Sequence, residues 1–289
     1  RRTKCKLTCS SAASDEYKRK VMNLEIDMGN TRFKWRLKDN KKIISHGNIA
    51  NKDICDETSF NNVFASMDKY RPSQIGIASV SNKNKDYLDV WCQQRWLLVP
   101  HYLKVSELEL GVTNAYTHVE QMGIDRWLAM LAAYSSMGGQ ACLIVDCGSA
   151  CTVDLVLADG THLGGYIVPG VQLMKNALFR DTDRVKLNEI SYDSRLSPGT
   201  TTQEAVSAGL WAMQLGLVNF ALKRLLDEGA VMPCVLFAGG AGEHLLGLFR
   251  GAPAADSISE LVSKMEFKSD LVLDGISLLL ERYSEVVIK

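Results

Sequence analysis

Twice in this chain an apolar run ends in Asp-x-Gly, passes through a small polar residue and enters a second run of β-formers. The first is Leu24-Glu25-Ile26-Asp27-Met28-Gly29-Asn30-Thr31; the second is Leu143-Ile144-Val145-Asp146-Cys147-Gly148-Ser149, leading into Ala150-Cys151-Thr152. A turn of this kind lets backbone N–H groups approach an anion, because glycine has no Cβ in the way. Taken singly, each Asp-x-Gly is most simply the turn of a β-hairpin. Two copies at matching places divide the chain into related halves and point to paired loops around a phosphate. The carboxylates themselves would repel a phosphate, so their expected part is to hold Mg²⁺ or its water shell against it.

Each half continues as strands followed by helices, which predicts two α/β domains facing a cleft. A length of 289 residues agrees with more than one domain. The expected division is 22–138 and 139–289, with 1–21 a polar, disordered extension ahead of Met22, a sensible natural start. Lys plus Arg and Asp plus Glu both number 33, so no overall field favours nucleic acid or anionic lipid. No apolar run of about 18 residues suggests a membrane span, and the first residues lack a signal-type core. The eight cysteines form no C-x-x-C pair, which fits reduced thiols in a cytoplasmic protein. Cys142, Cys147 and Cys151 fall around a strand-turn-strand, as small buried residues rather than zinc ligands.

Local patterns predict strands over 23–27, 33–37, 42–47, 74–80 and 97–99 in the first half, with helices over 60–70 and 87–95. In the second half strands are expected from 141, over 155–158, 162–168 and 235–238, with helices over 203–227 and 275–286. Between the halves, Gly123-Ile124-Asp125-Arg126 opens a helix predicted over 127–134, and Gly138-Gly139 ends it. Asp125 has two readings there, an N-cap or a general base for an attacking hydroxyl. Arg126 suits bidentate grip of a carboxylate. Thr201 and Glu204 form a capping box that leaves the Thr202 hydroxyl spare. Phe237-Ala238-Gly239-Gly240-Ala241-Gly242 is a strand exit small enough to pass beneath a base or ribose. The histidines, His46, His101, His118, His162 and His244, occur singly and are given no role.

Together these segments resemble the type III pantothenate kinases, the group that includes the Bvg accessory factor proteins, within the actin and sugar-kinase ATPase superfamily. The resemblance rests on Asp27-Met28-Gly29-Asn30-Thr31 with Lys34-Trp35, Tyr116, Met122-Gly123-Ile124-Asp125-Arg126-Trp127, and Asp146 through Asp154. It continues through Gly164-Gly165-Tyr166-Ile167-Val168-Pro169-Gly170, Thr202-Gln203-Glu204-Ala205 and Gly239-Gly240. It implies two ribonuclease H-like (actin-like ATPase) domains around a nucleotide cleft. It also implies ATP-dependent phosphorylation of pantothenate at the start of coenzyme A synthesis, a homodimer, and dependence on Mg²⁺ and on K⁺ or NH₄⁺.

By that resemblance Asp27, Met28, Gly29, Asn30, Thr31, Arg32, Phe33 and Lys34 bind ATP, with Ser149, Gly239 and Gly240. Asp27 serves Mg²⁺ indirectly, Asp146 serves the monovalent cation, and Gly148 and Thr152 belong to the second phosphate loop. Asp125 becomes the base, while Tyr116, Gly123, Ile124, Asp125, Arg126 and Thr202 line the pantothenate site. The chain departs from the family pattern in having His118 or Val119 where a proline is usual and Ser149 where threonine is frequent. It also lacks the acidic residue often found after the Gly239-Gly240 pair.

Overall fold

The computed structural model describes residues 22–56, 58–81, 84–180, 196–251 and 260–287, so the extension expected at 1–21 lies outside the described residues. Two sheets of five strands carry the molecule. The first is built from β1 (Met22–Met28), β2 (Arg32–Asp39), β3 (Lys42–Ala50), β4 (Gln74–Ser79) and β5 (His101–Tyr102), in the order β3-β2-β1-β4-β5. A small hairpin, β6 (Leu108–Glu109) and β7 (Val112–Thr113), forms a third, two-stranded sheet bridged to Thr161. The second sheet comprises β8 (Cys142–Cys147), β9 (Ala150–Val156), β10 (His162–Pro169), β11 (Cys234–Ala238) and β12 (Lys264–Phe267), in the order β10-β9-β8-β11-β12. In each sheet the first three strands are antiparallel hairpin partners and the last two run parallel to the first. The repeat inferred from two short motifs is thus a repeat of whole topology.

Strand alternation sorts the side chains into three layers. On β8, Leu143 and Val145 face outward into a core with Trp211, Leu215, Val218 and Phe249, whereas Cys142 and Ile144 face inward. The outward layer is covered by α5 (Thr202–Asp227) and α6 (Gly242–Gly251), with α4 (Val171–Arg180) beside them. The first sheet is covered on its outer side by an aromatic cluster of Phe33, Trp35, Phe60, Phe64, Trp91 and Trp96, drawn from β2, the α1 (Ser59–Val63) region and α2 (Lys85–Trp96). Between the sheets lie α3 (Ile124–Ser136) and α7 (Leu271–Val287).

That middle layer is packed close. A Cβ on Gly275 would sit 2.3 Å from the Leu128 carbonyl oxygen, and one on Gly76 would sit 2.8 Å from Ile276 and Leu280. The last helix therefore lies against β1 and β4 of the first sheet, although it follows the second sheet in sequence. An ion pair fastens it there: buried Arg36 joins buried Glu25 through its Nε and reaches Asp274 of α7 at 2.8 Å.

Several expected elements differ. Residues 60–70 are not one helix: α1 stops at Val63, Phe64 leaves helical backbone (φ −104°, ψ 14°), and a 3₁₀ turn follows at Ala65–Met67. The stretch 97–99 is not a strand, because Leu97 is left-handed (φ 59°) and ends α2; the strand is β5. The strand β9 begins at once after the second turn, earlier than the expected start at 155. Helix α5 is long and apolar enough by length and composition to cross a membrane, but its inner face packs on the second sheet.

Candidate active site

Both Asp-x-Gly segments do close hairpins, β1 to β2 and β8 to β9. What a simple turn would not require is that they meet: Thr31 Oγ1 and Ser149 Oγ lie 2.6 Å apart, joining loops from opposite sheets. Each loop is braced from behind. Asn51 donates its side-chain amide to the Gly29 carbonyl at 2.7 Å and its backbone N–H to the Thr31 carbonyl at 2.9 Å. In the second loop Gly148 N–H donates to the Ala150 carbonyl and Gly170 N–H to the Ser149 carbonyl, both at 2.9 Å. With the carbonyls held back in this way, exposed Asn30, Thr31, Gly148 and Ser149 face outward together.

Not every residue of the first motif shares that face. Met28 and Phe33 are buried in the core of the first sheet, so only their backbone is available to a nucleotide. Arg32 bonds Asn48 across β2 and β3. Lys34 sits opposite Asp27 in the β1–β2 register, as Thr152 sits opposite Asp146 in β8–β9. The third loop passes beneath Asp146. Gly239 has φ +79°, and a Cβ there would lie 2.4 Å from Asp146 Oδ1, so a side chain is excluded on two counts. Gly240 next to it is open.

Asp27, Lys34, Asp146, Gly239 and Asp270 line a cavity of about 30 Å³, the scale of a water or an ion rather than a nucleotide. Burial pushes the Asp27 carboxyl up to about 7; Lys34 opposes the rise, and Asp125, Asp146 and Asp270 add to it. Asp146 is pushed up to about 6 by burial, again against Lys34, with Asp125 and Asp154 adding. Like charges share a poorly solvated space here, which favours a counter-cation. Among the described residues no three His, Cys, Asp or Glu groups are arranged to hold a metal by themselves. A cation at this place would therefore draw its other oxygens from a phosphate chain or water, the usual manner of Mg²⁺.

A second cluster is built on the start of α3. The helix begins at Ile124, earlier than expected, with Gly123 in extended backbone as its N-cap. Asp125 is therefore not the cap. It lies in the first turn, where its Oδ1 accepts the Arg126 N–H at 2.8 Å, and a Cβ on Gly123 would come 2.5 Å from that oxygen. Burial raises the Asp125 pKa above the usual carboxylate range, with that hydrogen bond opposing. Arg126 is buried and held by three bonds. Nε and Nη2 donate to Asp154 at 3.0 and 2.5 Å, and Nη1 donates to Tyr116 Oη at 2.8 Å. Ile124 points into the core. Thr202 is exposed at the start of α5, where the Thr201–Glu204 capping box is present as expected. Among the described residues no hydrogen bond joins Thr202 to Asp125, Arg126 or Tyr116.

The family model described as Type III pantothenate kinase matches residues 23–224. The chain belongs to that family. A type III pantothenate kinase of Chromohalobacter salexigens is 36% identical over 224 residues, covering 76% of this chain and 78% of its own length. One from Alcanivorax borkumensis is 33% identical over 264 residues, covering 88% and 97%. Among solved structures, a putative 2-dehydro-3-deoxygalactonokinase from Sinorhizobium meliloti superposes with a TM-score of 0.54 at 12% identity over 90% of this chain and 96% of its own. MreB 5 of Spiroplasma citri gives 0.50 at 9% identity over 92% and 98%. The two sheets accordingly have the fold that these actin-like and sugar-kinase structures share.

For a type III pantothenate kinase, three site neighbours escaped the sequence reading. Asp154 ends the second motif, within which it was given no role of its own, and lies in mid-strand on β9. His162 had no neighbouring partner in sequence; its ring stacks on Tyr116 at 6.3 Å with 10° between planes. Asp270 stands just before α7 and belongs to none of the motifs. Only the register of β9 with β10 and the return of α7 bring these three to the cleft.

Proposed function

We propose that this chain transfers the γ-phosphoryl group of ATP to the primary hydroxyl of pantothenate, with Asp125 as general base. The observation that carries the reading is the meeting of the two Asp-x-Gly loops at Thr31 and Ser149 beside a partly buried carboxylate and a buried arginine. Backbone N–H groups of both loops, with Lys34, would cradle the triphosphate, and Gly239-Gly240 would pass beneath the nucleoside. Asp27 would hold Mg²⁺ through water, and Asp146 a monovalent cation. Bound there, the cations neutralise charge between carboxylates and phosphates. Asp125, kept partly from water on α3, would accept the proton of the attacking hydroxyl. Its raised pKa keeps it nearer the operating pH than a solvated carboxylate, which suits a base. Tyr116, Arg126 and Thr202 would hold pantothenate.

The proposal extends to the whole molecule. Residues 22–138 and 139–289 form its two halves, with α7 crossing back to the first. The outer face of α5 exposes Met213 and Phe220, 64% and 59% accessible, and Phe220 packs edge-on to Tyr166. This apolar stripe is where a second copy would bind to form a homodimer. The free buried thiols fit a cytoplasmic location. ADP release measured with ATP and a panel of small hydroxy acids and sugars, with and without K⁺, tests the reading. Turnover should require pantothenate, and K⁺ stimulation should vanish in Asp146→Ala. Turnover with a sugar instead, or equal K⁺ stimulation in both proteins, would overturn it.

A further inference from the structure

A guanidinium has five N–H donors. In Arg126, Asp154 takes two of them and Tyr116 a third, so two remain for a ligand. The arginine is thus not a free clamp. Its plane, and the direction in which the two spare donors point, are set by Asp154 from behind and Tyr116 from the side.

Three further features show that this posture is built rather than incidental. Gly165 lies opposite Asp154 in the β9–β10 pairing, and a Cβ there would come 2.3 Å from Asp154 Oδ1 and 2.7 Å from Arg126 Nη2. The strand position beside the pair is therefore kept empty. His162 is buried on the same strand as Gly165, opposite Val156. Its Nδ1 accepts the Ala115 N–H at 3.4 Å, which places the ring proton on Nε2, and Nε2 lies 3.3 Å from Asp154 Oδ1, out of line for a good hydrogen bond. Finally, the His162 ring stacks on Tyr116, the other group that holds Arg126. One imidazole so touches both partners of the arginine.

The geometry points to Asp154 and His162 as positioning residues that make Arg126 selective for the carboxylate of the acceptor. The inference rests on the reading of Arg126 as the acceptor's clamp. Asp154 fixes the guanidinium so that two parallel donors face the substrate anion. His162 keeps Asp154 and Tyr116 in register with each other. Neither residue touches the reacting atoms.

The experiment compares pantothenate with its neutral analogue, in which a hydroxymethyl group replaces the carboxylate, in steady-state ADP release by the full chain. Asp154→Asn keeps shape but loosens the arginine, and the KM for pantothenate should rise about 10- to 100-fold, the worth of one charge-assisted hydrogen bond. The KM for ATP and the kinetics with the neutral analogue should stay close to wild type, so acid-over-neutral selectivity collapses. His162→Phe, which keeps the stack and removes Nε2, should move selectivity the same way by less. Arg126→Lys separates the two levels of the argument. If it loses selectivity while Asp154→Asn and His162→Phe keep theirs, the positioning role is wrong and the clamp stands. If Arg126→Lys keeps full selectivity, the clamp itself is wrong. Should Asp154→Asn fail to fold, His162→Phe decides, and unchanged selectivity in it overturns the proposal.

Discussion

The two halves share a strand order, a hairpin turn and an aspartate, yet they surround those aspartates differently. Asp27 faces Lys34 across its own hairpin and has Asp270 nearby. Asp146 faces the neutral Thr152 and is closely approached by Gly239, which follows the parallel strand β11. A duplicated backbone can thus deliver the same carboxylate twice while the residues around it give it separate work. The outer cores diverge too: a cluster of six aromatic rings, Phe33, Trp35, Phe60, Phe64, Trp91 and Trp96, dominates the first, and mostly aliphatic side chains the second. What neither half supplies by repetition is the cluster on α3, where Asp125 and Arg126 stand between the sheets.

The largest effect should fall on that unrepeated part. Asp125→Ala is expected to lower kcat by about 10²–10⁴, the usual contribution of a positioned base, with the thermal midpoint and ATP binding nearly unchanged. Near-normal kcat would return the catalytic burden to the paired loops and reduce Asp125 to a partner of the helix's first turn.

The next test separates the aspartates of the two halves by their cost to the empty protein. A carboxyl raised from 3.8 to about 7 in the folded state favours folding only when protonated. Its full contribution is present below the unfolded value and is lost as pH rises through about 7. Asp27→Asn should therefore stabilise the ligand-free protein by about 1–3 kcal/mol at pH 8 and flatten the dependence between pH 4 and 7. Asp146→Asn should do so less and over a lower range, since its carboxyl reaches only about 6. Chemical denaturation across pH in the presence of chelator measures both, and equal effects would erase the distinction drawn here.

The smallest effect probes the junction between the loops. Thr31→Val and Ser149→Ala, singly and together, should show a coupling of about 0.5–1.5 kcal/mol in stability or ATP affinity, as one exposed-side hydrogen bond between neighbours allows. Strict additivity would mean that the loops meet without depending on each other.

How much of this was legible in the chain follows from the range of each signal. The Asp-x-Gly turns, Gly138-Gly139 and the Thr201–Glu204 capping box are local, because glycine and hydroxyl chemistry act within a few residues, and all appear as read. Alternating apolar strands gave two sheets, and motif order gave the family. The breaks at Phe64 and Leu97 were hidden because a buried aromatic cluster overrides helix periodicity, and a left-handed leucine leaves no trace in composition. The start of α3 was misplaced because Gly123, a weak cap by type, is needed where the Asp125 side chain folds back. Asp154, His162 and Asp270 were invisible for a different reason: each matters only through a strand pairing or helix crossing that no short window contains.

The path of α7 has a consequence for how this protein is made. The inner face of the first sheet, with Gly76 and Ala78, is closed by a helix whose residues are synthesised only after the whole of the second sheet. The first half emerges from the ribosome with its central layer uncovered and must wait for the whole second half before it can be completed. Although the topology is that of two successive copies, the order of assembly is not sequential: the first sheet is completed together with α7, after the second sheet has been made.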